Sequence, residues 1–155
     1  MNTKVDVVSK NTRSRMMSGI RGKNTKPELI IRRQLHALGF RYKLHDSRLL
    51  GKPDMVFPKY NAVIFVNGCF WHGHDCHLFK WPSSRKKFWY DKITHTKEKD
   101  KENINSLLED GWRVLEIWEC ALKGKKKLCL NVVIEQASSW LKSKGKYLVI
   151  QGLHD

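Results

Sequence analysis

Residues 61–79 read NAVIFVNGCFWHGHDCHLF, and the change of character after Val66 decides how the chain is laid out. The first six residues are rich in β-branched and aromatic side chains, in a run too short for a helix, which predicts a buried strand. From Gly68 to Phe79 the chain then carries Cys69, His72, His74, Cys76 and His77, with the rings of Phe70 and Trp71 between them. Three or more of these side chains could reach one metal ion, and such a density of reactive groups is poor packing material. A strand that ends in a ligand cluster is a rigid scaffold presenting a site.

Upstream, FRYKLH at residues 40–45 alternates as a strand does, residues 49–52 turn at Gly51, and residues 54–57 form a second short strand that turns through Pro58 into NAVIFV. Asp54 stands at the start of its strand, where it either caps a turn or holds a divalent cation beside the ligand loop. Before this, a helix opens near Thr25. Thr25 and Glu28 have capping-box spacing, Pro27 suits a first turn, Ile31, Leu35 and Leu38 share a face, and Gly39 stops it. Glu28 has a plain structural reading as that cap. Residues 1–24 show no periodic apolar face and carry Arg13, Arg15, Arg21 and Lys23 around Met16, Met17 and Ile20. They are expected to form a basic arm preceding a single domain at 25–155.

Downstream, residues 81–100 interleave Arg85, Lys86, Lys87, Lys92, Lys97 and Lys99 with Trp81, Phe88, Trp89 and Tyr90, a composition suited to phosphates and base faces. A helix opens at Thr94 or Thr96 and runs to Asp110, with Ile104, Leu107 and Leu108 inward. Asp100 lies off that apolar face, as a solvated acid pairing with lysines would. Residues 112–118 (WRVLEIW) predict a strand with Cys120 just past its end, residues 131–144 a helix, and residues 147–153 an edge strand. The order implies an α/β fold, a mixed sheet covered by helices.

The whole chain, 155 residues with 30 Lys and Arg against 15 Asp and Glu, has a net charge of +15 and a pI near 9.9. Solubility needs only a few charges, so the excess points to a polyanion, nucleic acid before membrane. No stretch approaches the roughly 20 apolar residues of a spanning helix, and the amino terminus has no apolar signal core. Four cysteines are then expected to stay reduced, in the cytoplasm, for metal binding or burial. Zinc favours thiolate and imidazole in a tetrahedron, and Cys69, Cys76 and Cys120 with one histidine supply a closed, structural set. Spacing leaves His72, His74 and His77 open for the fourth place, and Cys129 reads as a core thiol.

GKPDMVF at 51–57, VIFVNGCFWHGHDCHLFKWP at 63–82 and GWRVLEIWECAL at 111–122 resemble the very short patch repair endonucleases, the Vsr family. The resemblance runs from about Thr12 to beyond Cys120. It implies a restriction-endonuclease-like core with structural Zn2+ and catalytic Mg2+. The implied activity is a DNA mismatch endonuclease that nicks the thymine strand of T:G mispairs left by 5-methylcytosine deamination. It implies a monomer acting on double-stranded DNA in the bacterial cytoplasm, on the nucleoid when bound, with repair-pathway proteins as further partners. Carried over residue by residue, it makes Cys69, His74, Cys76 and Cys120 the zinc ligands, and Asp54 with the backbone carbonyl of Val66 the magnesium ligands. His72 matches the catalytic histidine, Asp100 its acidic partner and Glu28 the acid of the first helix. Phe70 and Trp71 match an aromatic wedge, with Met17 entering from the opposite groove; Arg13, Arg15, Lys86 and Lys87 are the nearby candidates for DNA contact.

One position departs. Where the family pattern has a second active-site histidine, this chain has Asn67, which can hydrogen-bond to a phosphate or a water but cannot take up a proton near neutral pH. Two rival readings follow: a non-catalytic zinc-stabilised DNA-binding module, and a restriction-type enzyme that cuts both strands.

Overall fold

The computed structural model describes residues 24–153; Arg13, Arg15 and Met17 lie outside the described residues. The elements run α1 (Lys26–Ala37), β1 (Lys43–Leu44), β2 (Met55–Phe57), β3 (Ala62–Asn67), α2 (Lys86–Glu109), β4 (Arg113–Trp118), α3 (Leu130–Lys142) and β5 (Tyr147–Ile150). The five strands form one sheet in the order β1-β2-β3-β4-β5. β2 pairs antiparallel with both β1 and β3, and β4 and β5 follow parallel to β3 through helical crossovers, so the α/β mixed sheet expected from the sequence is present.

All six residues of β3 are buried, because helices cover both faces and leave no solvent side to alternate against. Ala62, Ile64 and Val66 pack with Leu115 and Ile117 of β4 against Ile31 and Leu35 of α1 and Val133, Ala137 and Leu141 of α3. Val63 and Phe65 face the other way, with Val56, Val114 and Leu107 of α2. Arg113 ties the layers at their far end, its guanidinium donating to the carbonyls of Tyr60, Leu141 and Trp140 and so occupying carbonyls that the end of α3 leaves free.

Four expectations are corrected. The helix predicted from Thr94 or Thr96 begins at Lys86, after Arg85 in a left-handed conformation. The threonines are not caps, since Thr96 Oγ1 donates back to the Lys92 carbonyl at 3.0 Å, and Ile93 and the half-buried Trp89 give the extra turns an inner face. Leu38, expected inward, is 59% exposed because α1 ends one residue before it. Cys129 is exposed at the start of α3 and is no core thiol. The alternating 40–45 stretch yields only the two-residue β1, as Phe40 leaves the ladder to pack on Phe57 and Tyr60.

Candidate functional site

The register of the parallel pair places the site. Asn67, the last residue of β3, lies opposite Trp118, the last of β4, so the residues two positions further on, Cys69 and Cys120, must meet. The Cys120 amide donates to Cys69 Sγ at 3.3 Å, and the Gly152 amide donates to Cys120 Sγ at 3.3 Å. His74 Nδ1 stands 3.6 Å from both sulfurs, and with Cys76 these donors lie within 4.8 Å of one another. His74 Nε2 donates to Gln151 Oε1 at 2.8 Å, which leaves Nδ1 as the ligand atom, the usual arrangement around a metal-bound imidazole. Trp118 stacks on the ring with centroids 4.0 Å apart. Burial pushes the Cys69 and Cys120 thiols up, with Cys76 adding to both shifts. Such crowded thiols need a cation to ionise, so the four-residue set suits a metal ion. His77 is elsewhere, with Nε2 buried against Gly124, where a Cβ would lie 2.5 Å from it.

Beside this cluster, at the carboxyl ends of β3 and β4, opens a cleft of about 720 Å³ whose lining includes Asp54, Asn67, His72 and Asp100. Asp54, one residue before β2, accepts the Val66 N–H at 2.6 Å through Oδ2. Burial raises its pKa to about 7; the Val66 amide opposes this and the charge of Glu28 adds to it. His72 Nδ1 lies 2.5 Å from Asp100 Oδ2. An ionised carboxylate only accepts, so Nδ1 carries the proton and Nε2 is left as a base. Asp100 therefore does not pair with lysines as the solvated-acid reading expected, because helix α2 brings it over the loop that holds His72.

Glu28 is 1% exposed and does more than cap. Thr25 Oγ1 accepts the Glu28 N–H at 3.4 Å, and Glu28 Oε1 reaches back to the Asn24 amide at 3.0 Å. Its other oxygen, Oε2, accepts from Arg32 at 2.9 Å and from His45 Nε2 at 2.7 Å. Glu28, His45 and Asp54 form a second group with ligand atoms within 4.8 Å. The sequence reading missed His45, whose only signal was a polar residue ending an apolar alternation; the structure gives it φ +48 and turns it inward. Asn67 is 7% exposed, and its Nδ2 donates to Glu116 Oε1 at 3.3 Å, with Tyr147 O–H donating to Glu116 Oε2. Burial raises the pKa of Glu116, which Tyr147 opposes.

Phe70 and Trp71 are each partly exposed. They meet edge to face at 5.1 Å, and both contact Trp89 of α2, at 5.3 and 5.9 Å. Trp89 thus joins the ring cluster at the rim of the cleft, a role hidden when α2 was expected to begin later. Lys86 and Lys87 are exposed in the first turn of α2, which carries no acid, so the positive end of the helix and the cations reinforce one another. No helix among the described residues is long and apolar enough to cross a membrane.

A family model described as DNA mismatch endonuclease Vsr matches residues 5–78. The chain is 42% identical over 151 residues to the DNA mismatch endonuclease Vsr of Escherichia coli K12, covering 96% of this chain and 97% of that one. It is 44% identical over 120 residues to the type II nicking enzyme V.NmeAIP of Neisseria meningitidis, covering 77% and 86%. Over 117 residues it is 43% identical to the type II nicking enzyme V.XorIIP of Xanthomonas oryzae pv. oryzae, covering 76% and 86%.

Proposed function

Because the chain belongs to the Vsr family of DNA mismatch endonucleases, we propose that it hydrolyses one phosphodiester on the thymine strand of a T:G mispair. The observation that carries this reading is the His72–Asp100 pair facing the same cleft as Asp54, with aromatic rings at its rim. A non-catalytic module has no use for that combination.

The donor chemistry fits two different ions. Three sulfurs and one nitrogen suit Zn2+ at Cys69, His74, Cys76 and Cys120, a closed structural site that braces the 68–79 loop against β4. Asp54, whose Oδ1 remains beside its bonded Oδ2, and the Val66 carbonyl offer the hard oxygens that Mg2+ prefers. When bound there, Mg2+ supplies positive charge to the scissile phosphate. His72 Nε2 removes the proton of the attacking water while Asp100 holds the ring and stabilises the imidazolium. Water oxygen bonds to phosphorus, the P–O3′ bond breaks, and the ends are a 5′-phosphate and a 3′-hydroxyl that takes up a proton. Glu28, paired with His45, sets the charge around Asp54. Asn67 supplies a hydrogen-bonding group and no base.

Phe70 and Trp71 enter the base stack, where a mispair is easier to open than a matched pair, and Lys86 and Lys87 meet phosphates. Met17 of a 1–24 arm enters from the opposite groove, and Arg13 and Arg15 of the same arm contact the DNA. The core at 25–155 is read as restriction-endonuclease-like, acting as a monomer in the cytoplasm. The test is a pair of labelled duplexes, one T:G and one T:A, incubated with zinc-loaded protein and Mg2+. A nick confined to the thymine strand of the T:G duplex is expected. No scission would leave a binding module, and cleavage of both strands a restriction-type enzyme.

A further inference from the structure

On the side of the sheet that α2 covers, β3 and β4 present Val63, Phe65 and Val114 under Leu107, and then turn polar at Asn67 and Glu116. Glu116 lies opposite Phe65 in register and is 6% exposed, with no ion pair among the described residues. A carboxylate taken from water at such a place must be held by donors. It has two, both neutral: Nδ2 of Asn67 at 3.3 Å on Oε1, and the Tyr147 hydroxyl on Oε2.

This constrains Asn67. A carboxylate accepts hydrogens, so the amide must offer Glu116 its NH2 group, and Oδ1 is turned elsewhere. Oδ1 has no partner among the described residues and is not a buried orphan, while Asn67 lines the cleft with Asp54 and His72. We propose that Glu116, braced by Tyr147, is a positioning residue that fixes the Asn67 amide with Oδ1 toward the cleft, so that Asn67 holds water there and not a phosphate oxygen. The inference rests on the nuclease reading above and deepens it. A phosphate oxygen is an acceptor and cannot bond to Oδ1, the amide atom turned toward the cleft, while one of the two N–H groups is already engaged by Glu116. A water molecule donates to Oδ1 and can still present its oxygen for attack. Glu116 and Tyr147 touch no substrate; they act through Asn67.

The experiment uses full-length, zinc-loaded protein and Glu116→Leu, Glu116→Gln, Tyr147→Phe, Asn67→Ala and the Asn67→Ala/Glu116→Leu double variant. Single-turnover nicking of a T:G duplex in Mg2+ is compared with duplex affinity in Ca2+. Glu116→Leu is expected to lower the rate about tenfold, the size of one lost hydrogen bond in a site, with Kd unchanged. Glu116→Gln, which keeps an oxygen for Asn67 and lets Tyr147 accept, restores most of the rate. The double variant matches Asn67→Ala alone, since residues acting through one another are not additive. Weakened duplex binding at an unchanged rate would mean that Asn67 holds phosphate, and multiplied losses in the double variant would mean that Glu116 acts elsewhere; either overturns the proposal. Heteronuclear NMR of the 15N-labelled protein without DNA tests the anchor separately from activity. Asn67 side-chain NH2 signals protected in the wild type and solvent-like in Glu116→Leu are expected. If they are solvent-like in both, the anchor is absent even in an active enzyme, whereas protected signals in an inactive wild type would sink the nuclease reading and leave the anchor standing. Tyr147→Phe carries the same comparison if Glu116→Leu does not fold.

Discussion

Replacing Asp54 by Asn should stabilise the metal-free protein while removing its activity. Burial raises the Asp54 carboxyl from 3.8 to about 7, a shift of roughly 3 units, and each unit corresponds to about 1.4 kcal/mol. Native Asp54 therefore binds its proton more tightly than the unfolded chain does, and stability falls as pH rises between the two values. The penalty is absent below about pH 4 and complete above about pH 7, where its ceiling is on the order of 4 kcal/mol; water in the open cleft reduces this to ~2 kcal/mol. Asn has no charge to bury and can still accept the Val66 amide. Urea unfolding of zinc-loaded, magnesium-free protein should then show the variant gaining on wild type from pH 5.5 to 7 and levelling off by pH 8. Mg2+ should stabilise wild type and leave the variant unmoved, and nicking by the variant should fall to background. An Asn variant less stable than wild type at pH 8, or equally stabilised by Mg2+, would refute the account of Asp54 as a partly buried carboxylate awaiting a cation.

Cys120→Ala should lose both bound zinc and cooperative unfolding, because a closed site contributes folding energy directly; elemental analysis and thermal denaturation check this. Trp71→Ala should stay folded with its zinc yet discriminate less between T:G and T:A duplexes in Ca2+ binding, whereas an unfolded variant would show that the ring serves packing. Gly152→Ala should destabilise by about 1–3 kcal/mol, since a Cβ there would meet the Cys120 carbonyl oxygen at 2.6 Å; urea midpoints measure it. His72→Ala should reduce single-turnover nicking about 10²- to 10⁴-fold, and Asn67→Ala by less; equal losses would contradict the assignment of the base to His72 alone.

Much of this protein is written locally. Five consecutive apolar residues, Ala62 to Val66, specify β3, the Thr25–Glu28 spacing starts α1, and Cys69, His74 and Cys76 are close in space because they are close in sequence. The quoted segments also carried the family resemblance, since a long block of unusual residues is specific without any coordinates. What the sequence could not supply were contacts made across the fold. The start of α2 was misplaced because propensity favoured threonine caps, while Trp89 and Ile93 are held helical by rings and residues from the 68–79 loop. Glu28 and Asp100 each had a sufficient local explanation, as cap and as solvated acid. Only the packing of α1 beside His45 set Glu28 next to His45 and Asp54, and only the packing of α2 over His72 brought Asp100 to the cleft. Glu116 carried no signal beyond its place in the predicted 112–118 strand, and its engagement with Asn67 and Tyr147 depends on three neighbouring strands in register. Local pattern fixes which elements form; the pairing of parallel strands far apart in the chain decides which side chains meet, because that pairing is set by burial of the whole sheet and not by any one segment.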